Sequence, residues 1–287
     1  MQGKYFVESV TSVGPMDSKA FKPQQGAGRQ AEGRCPVMLT GSNLLNTLVD
    51  ELNELGLPNM AAELDKLYAS PGFLEMDHLT LLSELISPEY RDKISKRINN
   101  RLRSAKLIGC PAEIENCKDS REREYLPPGI PQLLSTLEFV PKGFNICILG
   151  ASDTGKTYLA KAIGIKACMD YRVGYFHCEE LLESLSSQKQ LDYGKYERKI
   201  AGLFKQDILI LDDFLLHTIE DEAEIKILFA LLEGRSERQK STIICSQRAP
   251  ENWKPMIMND EISANSIVKR ATPGKGNRLP IDADRLL

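Results

Sequence analysis

The chain has 287 residues, of which 42% are hydrophobic and 27% charged, and its formal net charge at pH 7 is -3. This length predicts one main domain with a smaller one beside it, and the net charge alone predicts neither a nucleic-acid nor a membrane partner. No apolar run is long enough to span a bilayer. The scattered cysteines include no C-x-x-C pair, which argues against zinc and disulfides and for a reduced, cytoplasmic protein.

The first 37 residues are rich in Gln, Gly, Ser and Lys and show no sustained hydrophobic periodicity. Such a composition is typical of an unstructured segment. Because a regular pattern begins just after Met38, we interpret residues 1–37 as a disordered leader or as a wrongly assigned start.

Residues 38–108 are predicted to form a small helical domain that binds DNA or a partner. Its first helix carries apolar residues at helical spacing, namely Leu44, Leu45, Leu48, Val49, Leu52 and Leu55. Ser42 or Asn43 is the expected N-cap of this helix, and Gly56 is the expected stop.

Further helices are expected over 60–68 and after Asp77, with a boundary at Pro88. The last helix of this domain, over 89–107, is strongly basic. It carries seven cations against two acids, and the cations are Arg91, Lys93, Lys96, Arg97, Arg101, Arg103 and Lys106. Such a segregated patch can neutralise several backbone phosphates without reading sequence, although a solvated basic face remains the alternative.

Residues 109–131 contain several prolines and glycines and a charged run, and we interpret them as a linker. The second domain is then expected over 132–287. Four apolar runs alternate there with helical patterns, which predicts an α/β fold built on a parallel sheet with right-handed crossovers. The runs cover 145–149, 173–176, 208–211 and 242–245.

The first of these runs leads into Gly150-Ala151-Ser152-Asp153-Thr154-Gly155-Lys156-Thr157, which fits the phosphate-loop pattern G-x-x-x-x-G-K-[ST]. Tyr158 continues into a helical pattern, so the motif has the strand and helix that it requires. The glycines let backbone amides point at phosphate oxygens, and the helix adds its dipole. We therefore predict an ATP site over 150–158, with Lys156 on the β- and γ-phosphates and the Thr157 hydroxyl on Mg²⁺.

Two acids, Asp212 and Asp213, end the third apolar run. The carboxyl end of a neighbouring parallel strand lies beside the phosphate loop. Asp212 is the candidate for the Mg²⁺ shell, and Asp213 is placed to polarise the water that attacks the γ-phosphate. The alternative is a pair of ordinary acids in a turn.

A polar residue at the end of the fourth run, Gln247 or, as the alternative, Ser246, is a candidate to hold the attacking water. Tyr175 is expected in the core, His177 at the surface and Trp253 as a packing anchor. No histidine has a partner at metal-ligand spacing.

These motifs in this order resemble the IstB family of AAA+ ATPases, the helpers of two-gene insertion sequences, which are related to the DnaC helicase loaders. The resemblance covers roughly residues 38–270. It implies a P-loop AAA+ domain behind a small helical domain, in a bacterial cytoplasmic protein. It also implies an ATP-dependent homo-oligomer on double-stranded DNA that presents the target to a cognate IstA-like transposase.

The resemblance further implies a site between subunits, completed by an arginine finger that matches Arg270. The C-terminus departs from the family pattern, since no clear nucleotide-sensing arginine follows and Arg285 has poor spacing for that role. Two alternatives therefore stay open beside a transposition helper. One is a DnaC-like replicative helicase loader, and the other is a non-catalytic nucleotide-binding remnant or regulatory protein.

Overall fold

The computed structural model describes residues 41–119, 124–258 and 260–272, together with the backbone of 280–284. The predicted leader 1–37 and Arg285 lie outside the described residues. In the described part of the chain, no helix is both long enough and apolar enough to cross a membrane.

Three helices form the N-terminal part, α1 (Gly41–Glu54), α2 (Pro58–Tyr68) and α3 (His78–Ser104). Gly56 follows α1 with a φ of 71°, a left-handed conformation that glycine adopts without strain. The expected stop is therefore confirmed. Asp77 caps α3 by accepting hydrogen bonds from the backbone N–H groups of Leu79 and Thr80.

The predicted boundary at Pro88 is wrong, because Pro88 lies inside the continuous helix α3, which has 27 residues. A proline removes one hydrogen bond of the helix ladder, but the next residue anchors the helix at this point. The Glu89 side chain is buried and accepts a hydrogen bond of 3.0 Å from the backbone N–H of Asn59, at the start of α2. The predicted basic helix is therefore the second half of α3.

Residues of the predicted linker 109–131 are not a linker where the structure describes them. Ala112, Ile114, Tyr125 and Ile130 are buried in the same apolar cluster as the central strands. The prolines and glycines of this segment were misinterpreted, because they form turns that pack against the sheet and not a linker between two domains. The core of the α/β part thus begins near the C-terminal end of α3.

Six strands form one sheet in the order β1-β6-β2-β5-β4-β3. Their bounds are β1 Glu124–Leu126, β2 Ile146–Leu149, β3 Val173–His177, β4 Ile208–Asp212, β5 Ser241–Ser246 and β6 Pro280–Asp284. The four predicted strands are confirmed as β2 to β5, and all their pairings are parallel. β6 adds a parallel pairing with β2, and β1 pairs with β6 in antiparallel fashion.

Helices cover both faces of this sheet. They are α4 Ile130–Ser135, α5 Lys156–Ala167, α6 Cys178–Leu191, α7 Tyr193–Lys205, α8 Glu222–Glu237 and α9 Glu261–Ala271. Alternate strand residues enter opposite cores: Ile148 and Ile210 pack with α5, whereas Leu209 and Ile244 pack with α8 and α9. The result is a three-layer α/β sandwich.

Candidate nucleotide-binding site

The phosphate loop connects the end of β2 to the start of α5. Gly150 and Gly155 have φ values of 152° and 89°, which residues other than glycine rarely adopt. Asp153 also has a positive φ, of 63°. These reversals curl the loop over the N-terminus of α5, where backbone amides and the helix dipole favour bound phosphate.

Lys156 is the first residue of α5 and is only 6% exposed. Its ammonium group donates a hydrogen bond of 2.5 Å to the carbonyl of Ala151 within the loop. Burial lowers the pKa of Lys156, while the nearby carboxylates of Asp213 and Asp212 act in the opposite direction. The side chain is thus held against the loop whose phosphates it is predicted to contact.

An open cleft of about 460 Å³ lies over this loop, and Ser152, Asp153, Gly155, Lys156, Thr157, Tyr158, Asp213 and Gln247 are among its lining residues. Residues from the turn after α3, namely Cys110, Pro111 and Ala112, form part of the same lining. The structure therefore brings the loop, the acid that follows β4 and the glutamine that follows β5 to one place, as the order of parallel strands predicts.

Asp212 is the last residue of β4 and is only 1% exposed. One of its carboxylate oxygens accepts a hydrogen bond of 2.6 Å from the hydroxyl of Tyr175, in β3. Its other oxygen accepts from the backbone N–H of Asp213, at 3.1 Å. Burial and the bond to Asp212 both raise the pKa of Tyr175, so the tyrosine remains a donor to the carboxylate.

Asp213 follows with a φ of 52°, and this left-handed turn separates its side chain from that of Asp212. Asp213 lines the cleft and is 40% exposed, with its carboxylate 3.4 Å from Nδ1 of His177. The expectation of a plain surface role for His177 is therefore incomplete. The sequence held one signal for this contact: Tyr175 and His177 are two residues apart in β3, so their side chains lie on the same face of the strand.

Ser246 is fully buried and is engaged in structural bonds, which excludes the alternative role predicted for it. Its hydroxyl donates to the carbonyl of Phe214 and accepts from the indole N–H of Trp253. Trp253 is 0% exposed and contacts Phe214 edge to face, so its packing role is confirmed. Gln247 is the exposed polar residue that this strand presents to the cleft.

Arg270, the predicted finger, lies on α9 and not in the cleft of its own chain. Its guanidinium forms an ion pair of 2.6 Å with Glu233 on α8 and lies over the ring of Phe229. The side chain is 26% exposed.

The seven basic residues predicted to bind nucleic acid lie along α3 and just beyond it. Lys93 and Lys96 pair with acids one turn earlier on the same helix. Arg101 donates to two carbonyls at the C-terminal end of α5, so it joins two helices, a role that the sequence pattern did not indicate. The remaining four are exposed, namely Arg91, Arg97, Arg103 and Lys106.

A parallel sheet between helices, with a phosphate loop after β2 and two acids at the end of β4, defines a P-loop nucleotide-binding fold. Comparison with known sequences gives the family. The chain belongs to the IstB-like ATP binding protein family, whose model matches residues 50–284.

A Sinorhizobium fredii protein named as an insertion-sequence ATP-binding protein is 34% identical over 220 residues, which cover 76% of this chain and 86% of the relative. A Pseudomonas aeruginosa protein that carries the same kind of name for the insertion sequence IS21 is 26% identical over 225 residues, 76% of this chain and 80% of the relative.

Two solved structures show a looser likeness. AMPPCP-bound DnaA from Aquifex aeolicus has a TM-score of 0.47 and 21% identity, over 63% of this chain and about half, 51%, of the DnaA chain. The DnaC helicase loader has a TM-score of 0.45 and 17% identity, over 62% of this chain and 98% of its own. Neither likeness bears on function.

Proposed function

We propose that this protein hydrolyses ATP and uses the ATP-bound state to assemble on double-stranded DNA as the helper of a transposase. The observation that carries the proposal is the convergence of Lys156, Thr157, Asp213 and Gln247 on one cleft in a member of the IstB-like family. The names of its relatives, which place them in insertion sequences, support a transposase as the partner.

In this proposal the loop amides of 150–158 hold the phosphates of ATP, and Lys156 moves from the Ala151 carbonyl to the β- and γ-phosphate oxygens. That exchange replaces a neutral acceptor with charged ones, which form the stronger hydrogen bonds. Because the Lys156 ammonium already lies against the loop, its side chain would need to move little to reach the phosphates.

The donor set of the cleft suits Mg²⁺, because this ion prefers hydroxyl and carboxylate oxygens and keeps several of its waters. Thr157 would hold the ion directly. Asp212 would act through the water shell of the ion and not as a direct ligand, because its carboxylate is only 1% exposed. The ion supplies charge neutralisation on the phosphates.

Asp213 is the proposed group that orients and deprotonates the attacking water, and Gln247, after the neighbouring strand β5, is proposed to hold that water. Asp213 lines the cleft next to Lys156, so its carboxylate is accessible where that of Asp212 is not. We propose Arg270 as the finger that acts on the ATP of a neighbouring subunit in the assembly. Because Arg270 does not line the cleft of its own chain, it could act only on the site of a neighbour.

The helical part of the chain, over 38–108, is proposed to contact DNA or the transposase. The exposed cations of α3 support contacts with phosphates and carry no sequence specificity.

Steady-state ATP hydrolysis by the full chain, with and without duplex DNA, tests the proposed activity. We expect turnover that requires Mg²⁺ and rises when duplex is added. Lys156→Ala is expected to lower kcat/KM by about 100-fold, because it removes a charged hydrogen bond worth roughly 1.5–3 kcal/mol. The matched control Lys142→Ala, an exposed lysine outside the cleft, should retain full turnover.

Nucleotide binding without turnover would contradict this proposal and favour a non-catalytic nucleotide-binding protein. Turnover stimulated by single-stranded DNA but not by duplex would instead favour a helicase loader.

A further inference from the structure

A second cleft, of about 470 Å³, adjoins the nucleotide cleft, and its lining includes Tyr175 and His177, which contact Asp212 and Asp213. It lies between the end of α3, α5, β3 and the paired helices α6 and α7. Cys110 and Lys161 line both clefts, so the two sites share a wall. We infer that this lysine-lined cleft binds the backbone phosphates of the DNA next to bound ATP, an assignment that rests on the proposed DNA-binding function.

Charge is the first argument. Three lysines, Lys106, Lys161 and Lys199, line the cleft from three different helices or their ends, against one acid, Glu180. None of these lysines takes part in an ion pair within the described residues. Three unneutralised ammonium groups around one cavity produce a local positive potential that attracts anions.

The environment of Lys199 supports this view. Its ammonium group donates a hydrogen bond of 2.8 Å to the hydroxyl of Ser184, so the side chain is fixed in the cleft. Burial and the charges of Lys106 and Lys195 lower its pKa. Lys106 and Lys199 therefore repel one another in the free protein, and a bound phosphate would relieve that repulsion.

The walls of the cleft suit a phosphate strand better than a buried apolar ligand. Phe176 and Leu181 form part of the lining, but the ammonium of Lys106 already lies over the Phe176 ring, 5.6 Å from its centre. Lys106, which lines the cleft, follows the exposed cation Arg103 of α3 by less than one turn. The run of exposed cations along α3 thus continues in sequence to a residue of the cleft.

The position of Lys106 allows a substitution that removes charge without disturbing the fold. Lys106 has a φ of 58° and ends α3 in a Schellman motif, in which its N–H and that of Leu107 donate to the carbonyls of Arg103 and Leu102. Gly56 occupies the same position after α1. Glycine is the preferred residue there, so Lys106→Gly should leave the thermal stability unchanged or raise it.

The test compares the full chain with the double variant Lys106→Gly, Lys199→Met, in the presence of a non-hydrolysable ATP analogue and Mg²⁺. Affinity for a fluorescent duplex and for the matching single strand is measured across a salt series. We expect the variant to bind duplex about tenfold more weakly, and the slope of log affinity against log salt to fall by about two, one for each lysine. Lys142→Met, Lys254→Met removes the same charge from exposed positions outside the cleft and should leave the slope unchanged.

If the slope of log affinity against log salt is unchanged in the cleft variant while the unaltered chain binds DNA normally, this assignment is wrong and the proposed function still stands. The assignment is also wrong if the cleft variant loses affinity for the ATP analogue while its salt slope stays the same, since the cleft would then belong to the nucleotide. Absence of DNA binding by the unaltered chain would overturn the proposed function, and this assignment with it.

Discussion

Tyr175, in β3, forms a hydrogen bond with Asp212, at the end of β4 beside the nucleotide site. The carboxylate is almost fully buried and accepts one of its hydrogen bonds from the tyrosine hydroxyl, 2.6 Å away. A buried carboxylate that loses a donor is destabilised by its unmet solvation or turns toward another partner. Tyr175 is therefore a positioning residue for Asp212.

Tyr175→Phe removes this one hydroxyl and keeps the ring in the core. We expect kcat to fall about tenfold or more, because a hydrogen bond to a charged group contributes roughly 1.5–3 kcal/mol. We also expect nucleotide binding to need more Mg²⁺, which a merely structural role of the hydroxyl would not change. Titration of nucleotide affinity with Mg²⁺, beside the kinetics, measures both effects.

Tyr196→Phe is the matched control, since Tyr196 lies on α7 with its ring beside the ammonium of Lys189, away from the acids. A loss of turnover in Tyr175→Phe with an unchanged Mg²⁺ requirement would count against the positioning role.

Among the elements, β2 to β5 were predictable, whereas β1 and β6, at one edge of the sheet, were not. β2, β4 and β5 are buried on both faces and therefore appear as continuous apolar runs in the sequence. β1 has three residues and β6 begins with a proline, and both exist only through pairing with each other and with β2. Such long-range partners leave no local periodicity to detect.

The site residues show a similar division. The phosphate loop is defined by sequence because its glycines and lysine occupy fixed positions in one local turn. The contacts of β3 with the two acids were missed, because they join strands that are more than thirty residues apart. Likewise, the burial of Ser246 follows from Trp253 folding back onto it, and the strand pattern alone does not contain this contact.

The contact between α8 and α9 holds the candidate finger. Arg270 is paired with Glu233 at 2.6 Å, and an arginine that serves a neighbouring subunit would have to leave this partner. We expect Arg270→Ala to lower kcat by about a thousandfold, as removal of an arginine finger does, with nucleotide affinity preserved. Lys269→Ala, the exposed neighbour on the same helix, is the control.

Mixing two inactive variants makes this prediction specific for action between subunits. Asp213→Asn retains Arg270 and the phosphate loop, and Arg270→Ala retains Asp213, so a mixed assembly contains some complete sites. Hydrolysis should reappear in the mixture. If the mixture stays inactive although Arg270→Ala keeps its thermal stability, the finger role is wrong.

The whole molecule joins a helical part and an α/β part without a flexible spacer in the described residues. The end of α3 and the turn after it belong to the core of the sheet, and residues of that turn also line the nucleotide cleft. Contacts on α3 and nucleotide in the cleft therefore act on one packed unit. This continuity gives a physical route by which ATP binding could alter DNA binding, and the reverse follows by linkage.

The measurement that tests the central claim most directly is sedimentation of the full chain with a duplex of defined length, with no nucleotide, with ADP and with a non-hydrolysable ATP analogue, each with Mg²⁺. The account predicts large protein–duplex assemblies with the ATP analogue alone, and none with Lys156→Ala. Assemblies of the same size in all three nucleotide states, or no association with duplex in any of them, would contradict an ATP-controlled assembly on DNA.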